Sequence, residues 1–318
     1  MEDFGIAVVF ALKRMMSTWD GHIEITGADS QAKELLEMLP SEHFDDSASF
    51  FKQEPLGLVV RLGGSSIKAA NDVKFMVSFA GSLFLACMHA FRHPGRLRWG
   101  DMISSMERVG VDAVPIIALI SFLMGLIMAF MSSVQLREFG ANIYVASLVA
   151  LAMVRELGPI ITGIIVAGRS GSAFAAEIAT MEISEEVDAL HVMGMNPILF
   201  LAFPKLIASV IVVPILTLLS DLFAIAGGLL VGVSMLNLTL SAYVDQTLRA
   251  VTLYDVGWGF IKSAVFAALI SWIGCIRGFQ AHGGAEAVGT ATTSSVVTSI
   301  FLIILADSIF AIIRTYWG

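Results

Sequence analysis

Residues 114–134 read VPIIALISFLMGLIMAFMSSV, a run of 21 positions without a single Asp, Glu, Lys or Arg. As an α-helix it would rise roughly 30 Å, the thickness of bilayer hydrocarbon. Four more runs of similar character follow, at 143–167, 198–233, 256–276 and 296–313. Together they predict an all-α polytopic membrane protein with about five transmembrane helices. The 198–233 run is longer than one crossing needs. It is expected to be tilted, bent at Pro204 or Pro214, or a re-entrant pair.

Composition agrees with this reading. Apolar residues make up 57% of the 318 positions and charged residues only 14%, with a mean hydropathy of +0.82. A soluble domain has roughly 25% charged residues, so a water-soluble fold of this length could not cover its surface. The net charge of −8 and the lack of a basic stripe exclude a nucleic-acid protein. Cys87 and Cys275 lie in apolar surroundings without a Cys-x-x-Cys partner, and are expected to behave as small hydrophobes.

Residues 1–70 hold a larger share of charge and read as a small cytoplasmic α/β segment, too short for a sizeable core. Residues 72–92 are apolar but flanked by the basic run RHPGRLRWGD, which suggests a helix lying along the interface. Arg92, Arg96, Arg98, Arg108, Arg169 and Arg277 fall on one side of the predicted spans, and Arg137, Arg249 and Arg314 on the other. The positive-inside rule then puts the N-terminus in the cytoplasm. No acid-free leader with a small-residue cleavage site precedes the first apolar stretch, so a signal peptide is not expected.

Three features carry chemistry. Between the second and third spans, ATMEISEEVDALHVMGMNP is rich in acid. Met181, Ile183, Val187, Leu190 and Gly194 share one face at helical spacing, and Glu182, Glu185, Glu186 and Ala189 share the other. This is either a solvated loop helix or a docking helix with an apolar ridge and an acidic rim. Inside the second span, Arg155 and Glu156 precede Gly158-Pro159. Ionisable residues there cost about 2.5–3.5 kcal/mol each on insertion scales and face protein or a water-filled cavity. Neighbours in sequence do not face each other on a helix, so each needs its own partner: a structural ion pair or a substrate path. Lys262 and Asp307 are two more intramembrane charges suited to interior pairing. The small residues of AGRSGSAFAAE and the pair Gly228/Gly232 suit close helix packing.

The chain has no G-x-x-x-x-G-K-[ST] phosphate loop, no His-Glu-x-x-His helix and no G-x-S-x-G elbow. It is therefore expected to be no enzyme, with no cofactor or metal of its own. If ATP drives it, the energy comes from another subunit.

Residues 148–197, containing RELGP, AGRSGSA-x-x-AE and MGMNP, resemble the signature region of the MlaE/YrbE permeases, the membrane subunits of MCE-type ABC lipid transporters. Residues 255–297, with their ATT block, and ILADSIF at 304–310 resemble that family's last two spans. The likeness extends over about residues 72–318. It implies a homodimeric permease of the bacterial inner membrane that moves phospholipid or a similar lipid. Its implied partners are a cytoplasmic ATPase holding ATP-Mg, a hexameric periplasmic MCE-domain protein and a STAS protein. Residues 180–193 look like the coupling helix seated in the ATPase, with Glu182, Ile183, Glu185, Glu186, Val187, Asp188 and Leu190 at the contact. Arg155 and Glu156 match charged positions near the lipid cavity, and Met128, Leu136 and Leu157 match its apolar wall. Residues 72–92 match the family's elbow helix. Residues 1–70 look like part of a STAS domain without its early strands, with Asp3-Phe4-Gly5 where Ser or Thr commonly precedes Gly.

Two other classes remain open from the sequence. One is an ion- or proton-coupled secondary transporter using Glu156, Asp307 and Lys262 as a relay, although no internal repeat supports it. The other is an interaction protein whose spans only anchor residues 1–70.

Overall fold

The structure, a computed structural model, describes residues 74–83, 85, 86, 88 and 99–317. These belong to one compact unit, Asp72–Gly318. The expected STAS-like segment and Cys87 lie outside the described residues. All regular structure among the described residues is helical. Five helices are long and apolar enough to cross a membrane: Trp99–Glu138, Tyr144–Ile183, Ile198–Leu236, Leu253–Phe279 and Ala285–Tyr316.

A short helix, α1, covers residues 74–83. Its Phe79 and Leu83 pack against Ile178, Ala202, Cys275 and Ile276, while Phe75 and Val77 stay exposed. The next helix, α2 (Trp99–Gly110), has Asp101 in its first turn and Arg108 in its last, complementing the helix dipole. A 3₁₀ turn, Val111–Ala113, joins it to α3 (Val114–Glu138), where Pro115 occupies the first turn.

The second crossing is assembled from α4 (Tyr144–Ala152), α5 (Gly158–Val166) and α6 (Ser172–Ile183). Two π-helical turns, Met153–Leu157 and Ala167–Gly171, join them. After the short α7 (Glu186–Val192), a third π-turn, Ile198–Ala202, leads into α8 (Phe203–Leu236). The long apolar run is thus one continuous helix and not a re-entrant pair. Pro204 lies just after the π-turn, at the start of α8, and Pro214 is carried inside the helix. A surface helix, α9 (Leu240–Ala250), then precedes α10 (Leu253–Phe279) and α11 (Ala285–Trp317).

In a bilayer the hydrophobic effect does not hold helices together, so close packing must do it. Helices α3 and α8 meet through glycine. A Cβ on Gly125 would sit 1.8 Å from the Ala224 carbonyl oxygen, and one on Gly227 would sit 2.1 Å from that of Phe122. Beside this contact, Ser121 and Ser220 share a 2.7 Å hydrogen bond. Gly228 and Gly232 face the ring of Tyr243 on α9, so this Gly-xxx-Gly pair serves packing within the chain. Gly171 and Gly274 bring the second and fourth crossings together. The bundle core gathers Ile117, Val166, Phe174, Leu216, Phe266, Ile270 and Ile303. Outside it, Leu119, Leu123, Val297, Phe301, Ile304 and Ile312 remain exposed, as a lipid-facing surface requires.

Candidate functional site

The π-turn Met153–Leu157 carries Arg155 and Glu156, and both reach partners on α10. Arg155 donates from Nε to Oδ1 of Asp255 at 2.8 Å and from a terminal nitrogen to Oδ2 at 3.3 Å. Arg314, near the end of α11, donates to the same Oδ1 at 2.5 Å. Asp255 is 1% exposed and also accepts from the hydroxyl and backbone N–H of Thr252, in a capping box that starts α10.

Two helical turns further along α10, Lys262 is fully buried. Its ammonium pairs with both Glu156 and Asp307 and donates to the Arg155 carbonyl at 3.3 Å. In an α-helix that carbonyl would accept from residue 159, but Pro159 has no N–H to give it. The wide turn thus lets two consecutive residues satisfy charges two turns apart on one neighbouring helix. π-turns of this kind recur at functional sites.

One cluster holds two carboxylates around an ammonium, and the other holds two guanidinium groups around a carboxylate. Buried charges in such a setting are tolerated only when paired in this way. Yet the side chains of Arg155 and Glu156 are each 38% exposed. They therefore present charge outward from the bundle at membrane depth. Leu157, the next residue, packs with Met128, Leu136 and Leu126 of α3 against a buried apolar core that includes Val149 and Met153. Of the five residues expected at a cavity, Met128, Leu136 and Leu157 thus share one apolar cluster, and Arg155 and Glu156 directly precede Leu157 in the chain.

A profile of the MlaE permease family matches residues 102–313. The chain belongs to the MlaE permease family. A probable ABC transporter permease protein of Rickettsia typhi is 37% identical over 252 residues, 79% of this chain and 95% of that protein. A probable ABC transporter permease protein of Synechocystis is 34% identical over 213 residues, 67% of this chain and 81% of its own length. The chloroplastic protein TRIGALACTOSYLDIACYLGLYCEROL 1 of Arabidopsis thaliana is 37% identical over 217 residues, 68% of this chain and 62% of that protein. The chain is accordingly a multi-pass permease subunit of an ABC transporter, and membership in this family implies an ATPase subunit as partner.

In this MlaE-family permease the acidic break between spans differs from the helix expected at 180–193. Helix α6 stops at Ile183, Glu185 adopts a left-handed conformation at φ 61°, and α7 restarts at Glu186. The Ser184 hydroxyl donates to the Glu186 carboxylate at 3.0 Å, tying the corner. Gly194 at φ 74° ends α7, and the Asn196 side chain caps the next turn through the N–H of Ile198.

This corner turns the predicted apolar ridge inward. Val187 and Leu190 are buried against Leu201, Phe200, Met181 and Phe279, because ordinary core packing satisfies them within the chain. The surface left outward holds Glu185, Glu186, Asp188, Ala189, Val192 and Met193, with Val192 90% exposed. Glu182 and Ile183 are half-buried. Glu182 lines a cavity of about 570 Å³ with Asp188, His191, Phe75 and Phe79.

The sequence reading demanded partners for Arg155 and Glu156 but missed Asp255 and Arg314. Asp255 stands in Thr252-x-x-Asp255, which reads as a helix cap, and it serves as cap and counter-ion at once. Arg314 was counted only as a charge at a helix end. Also missed was Lys205, nearly buried in α8, which pairs with Glu177 at 2.9 Å and lies over the Phe174 ring.

Proposed function

We propose that the chain is one half of a homodimeric permease that passes phospholipid or a similar hydrophobic lipid between the bacterial inner membrane and a periplasmic MCE-domain protein. ATP-Mg is hydrolysed on a separate cytoplasmic subunit that meets the outward face of α7 and its flanking turns. The N-terminus and α7 lie on the cytoplasmic side. The observation that carries this reading is the half-exposed Arg155–Glu156 turn beside Met128, Leu136 and Leu157.

A lipid needs both parts: apolar surface for its chains and a few placed polar groups for its head. Arg155 can meet a phosphate through guanidinium N–H groups not used on Asp255. The name of the Arabidopsis relative is that of a galactolipid, which agrees with a lipid substrate.

The test is mass spectrometry of lipid carried by the permease purified with its partners. Wild type is expected to retain phospholipid. Leu157→Asp, which puts a charge on the apolar wall, is expected to reduce retention at least tenfold, since charge at bilayer depth costs a few kcal/mol and each 1.4 kcal/mol is about tenfold. Equal lipid in both proteins would remove the wall from this role.

A further inference from the structure

Asp221 lies in the middle of α8, in a stretch that otherwise reads as apolar, and it is 6% exposed. Its Oδ1 is buried without a hydrogen-bond partner. No ion pair to Asp221 is formed among the described residues. A carboxyl in this state works against stability, because neither hydration nor a counter-charge offsets its burial. Its presence therefore calls for a role.

Its position supplies one. Oδ1 lies 2.0 Å from where a Cβ on Gly158 would sit, so only glycine admits it there. Gly158 closes the π-turn that carries Arg155 and Glu156, and its N–H bonds back to the Met153 carbonyl. Gly259 of α10 also comes so close to the turn that a Cβ would lie 2.6 Å from the Val154 carbonyl oxygen. The turn is therefore held by two helices, by α10 at Val154 and by α8 at Gly158. One turn further along α5, the fully buried Thr162 hydroxyl is also without a partner, so this side of the turn is polar at a second position.

We propose that Asp221 is a positioning residue for the charged turn. Its carboxyl, lodged in the notch at Gly158, holds the turn in the wide form that directs Arg155 to Asp255 and Glu156 to Lys262 and leaves the outer halves of both available to the substrate. This role rests on the lipid-permease reading above, because it gives the turn a substrate to meet.

The experiment compares wild type, Asp221→Ala, Asp221→Asn, Gly158→Ala and the Asp221→Ala/Gly158→Ala double variant, each as the full chain with its ATPase partner. Two readouts are taken. The first is lipid transfer per inserted, ATPase-bound permease. The second needs no substrate: the maleimide labelling rate of Leu157→Cys in a background with Cys87 and Cys275 replaced by Ser. Asp221→Ala is expected to insert and bind ATPase normally, to transfer lipid about tenfold more slowly and to change the labelling rate severalfold. Asp221→Asn, which keeps the shape and a polar end, is expected to recover most of both. Gly158→Ala is expected to reproduce the defect, and the double variant to be no worse than Asp221→Ala, since residues acting through one contact are not additive. Unchanged labelling and transfer in Asp221→Ala overturns the inference, as do multiplied defects in the double variant. If wild type transfers no lipid, the lipid reading falls, while the labelling rates still decide whether Asp221 sets the turn.

Discussion

Lys262→Met is expected to deplete the folded permease from the membrane, and not merely to slow it. The Lys262 ammonium is fully buried and is the counter-ion of both Glu156 and Asp307. Removing it leaves two carboxylates facing one another at membrane depth. Breaking a buried pair by removing one partner costs about 3–5 kcal/mol, a large fraction of the roughly 5–15 kcal/mol by which domains are stable. The measurement is the amount of permease surviving detergent extraction as a single species, with its unfolding temperature. A charge-neutral triple variant, Lys262→Met with Glu156→Gln and Asp307→Asn, removes the stranded charges and is expected to regain most of the folded protein. Wild-type stability in Lys262→Met alone would mean that the cluster is held by other contacts.

The second large effect is expected at α7, where two neighbouring positions should separate folding from docking. Leu190 is packed under Leu201, Phe200 and Phe279. Leu190→Asp loses the apolar contact and buries a charge, together about 3–5 kcal/mol, enough to melt a helix as short as Glu186–Val192. Loss of ATPase co-purification is then expected with faster proteolysis between α6 and α8. Val192→Asp changes a side chain that touches almost nothing and is expected to leave proteolysis unchanged. If the outward face is where the ATPase binds, Val192→Asp also lowers ATPase co-purification. ATPase retained in Val192→Asp at the wild-type level would move the contact elsewhere on the chain.

These two positions also show where the sequence was informative. The spans were legible because bilayer hydrocarbon demands length and apolarity together, and 114–134 meets both. Arg155 and Glu156 stood out for the opposite reason: charge inside such a run is costly and must be satisfied. Lys262 and Asp307 could be grouped with Glu156, but the Arg155 partners Asp255 and Arg314 could not be read, since they depend on a π-turn that changes which neighbours consecutive residues face. The ridge of α7 had the right periodicity, but periodicity only says that a face is covered, not by what. The left-handed Glu185 that turns it inward carries no glycine signature. Asp221 was hidden because a single acid inside an apolar helix gains meaning only beside Gly158, 63 positions away. The resemblance supplied what periodicity could not, naming Met128, Leu136 and Leu157, which the fold brings into one cluster.

The most direct test of the central claim is lipid transfer between proteoliposomes and the periplasmic partner, with the permease reconstituted with and without its ATPase. The account predicts transfer that requires both the ATPase and ATP-Mg hydrolysis and is indifferent to an imposed proton gradient. Transfer or ion movement that persists without the ATPase and follows the proton gradient would contradict it, and would return Glu156, Lys262 and Asp307 to the role of a relay.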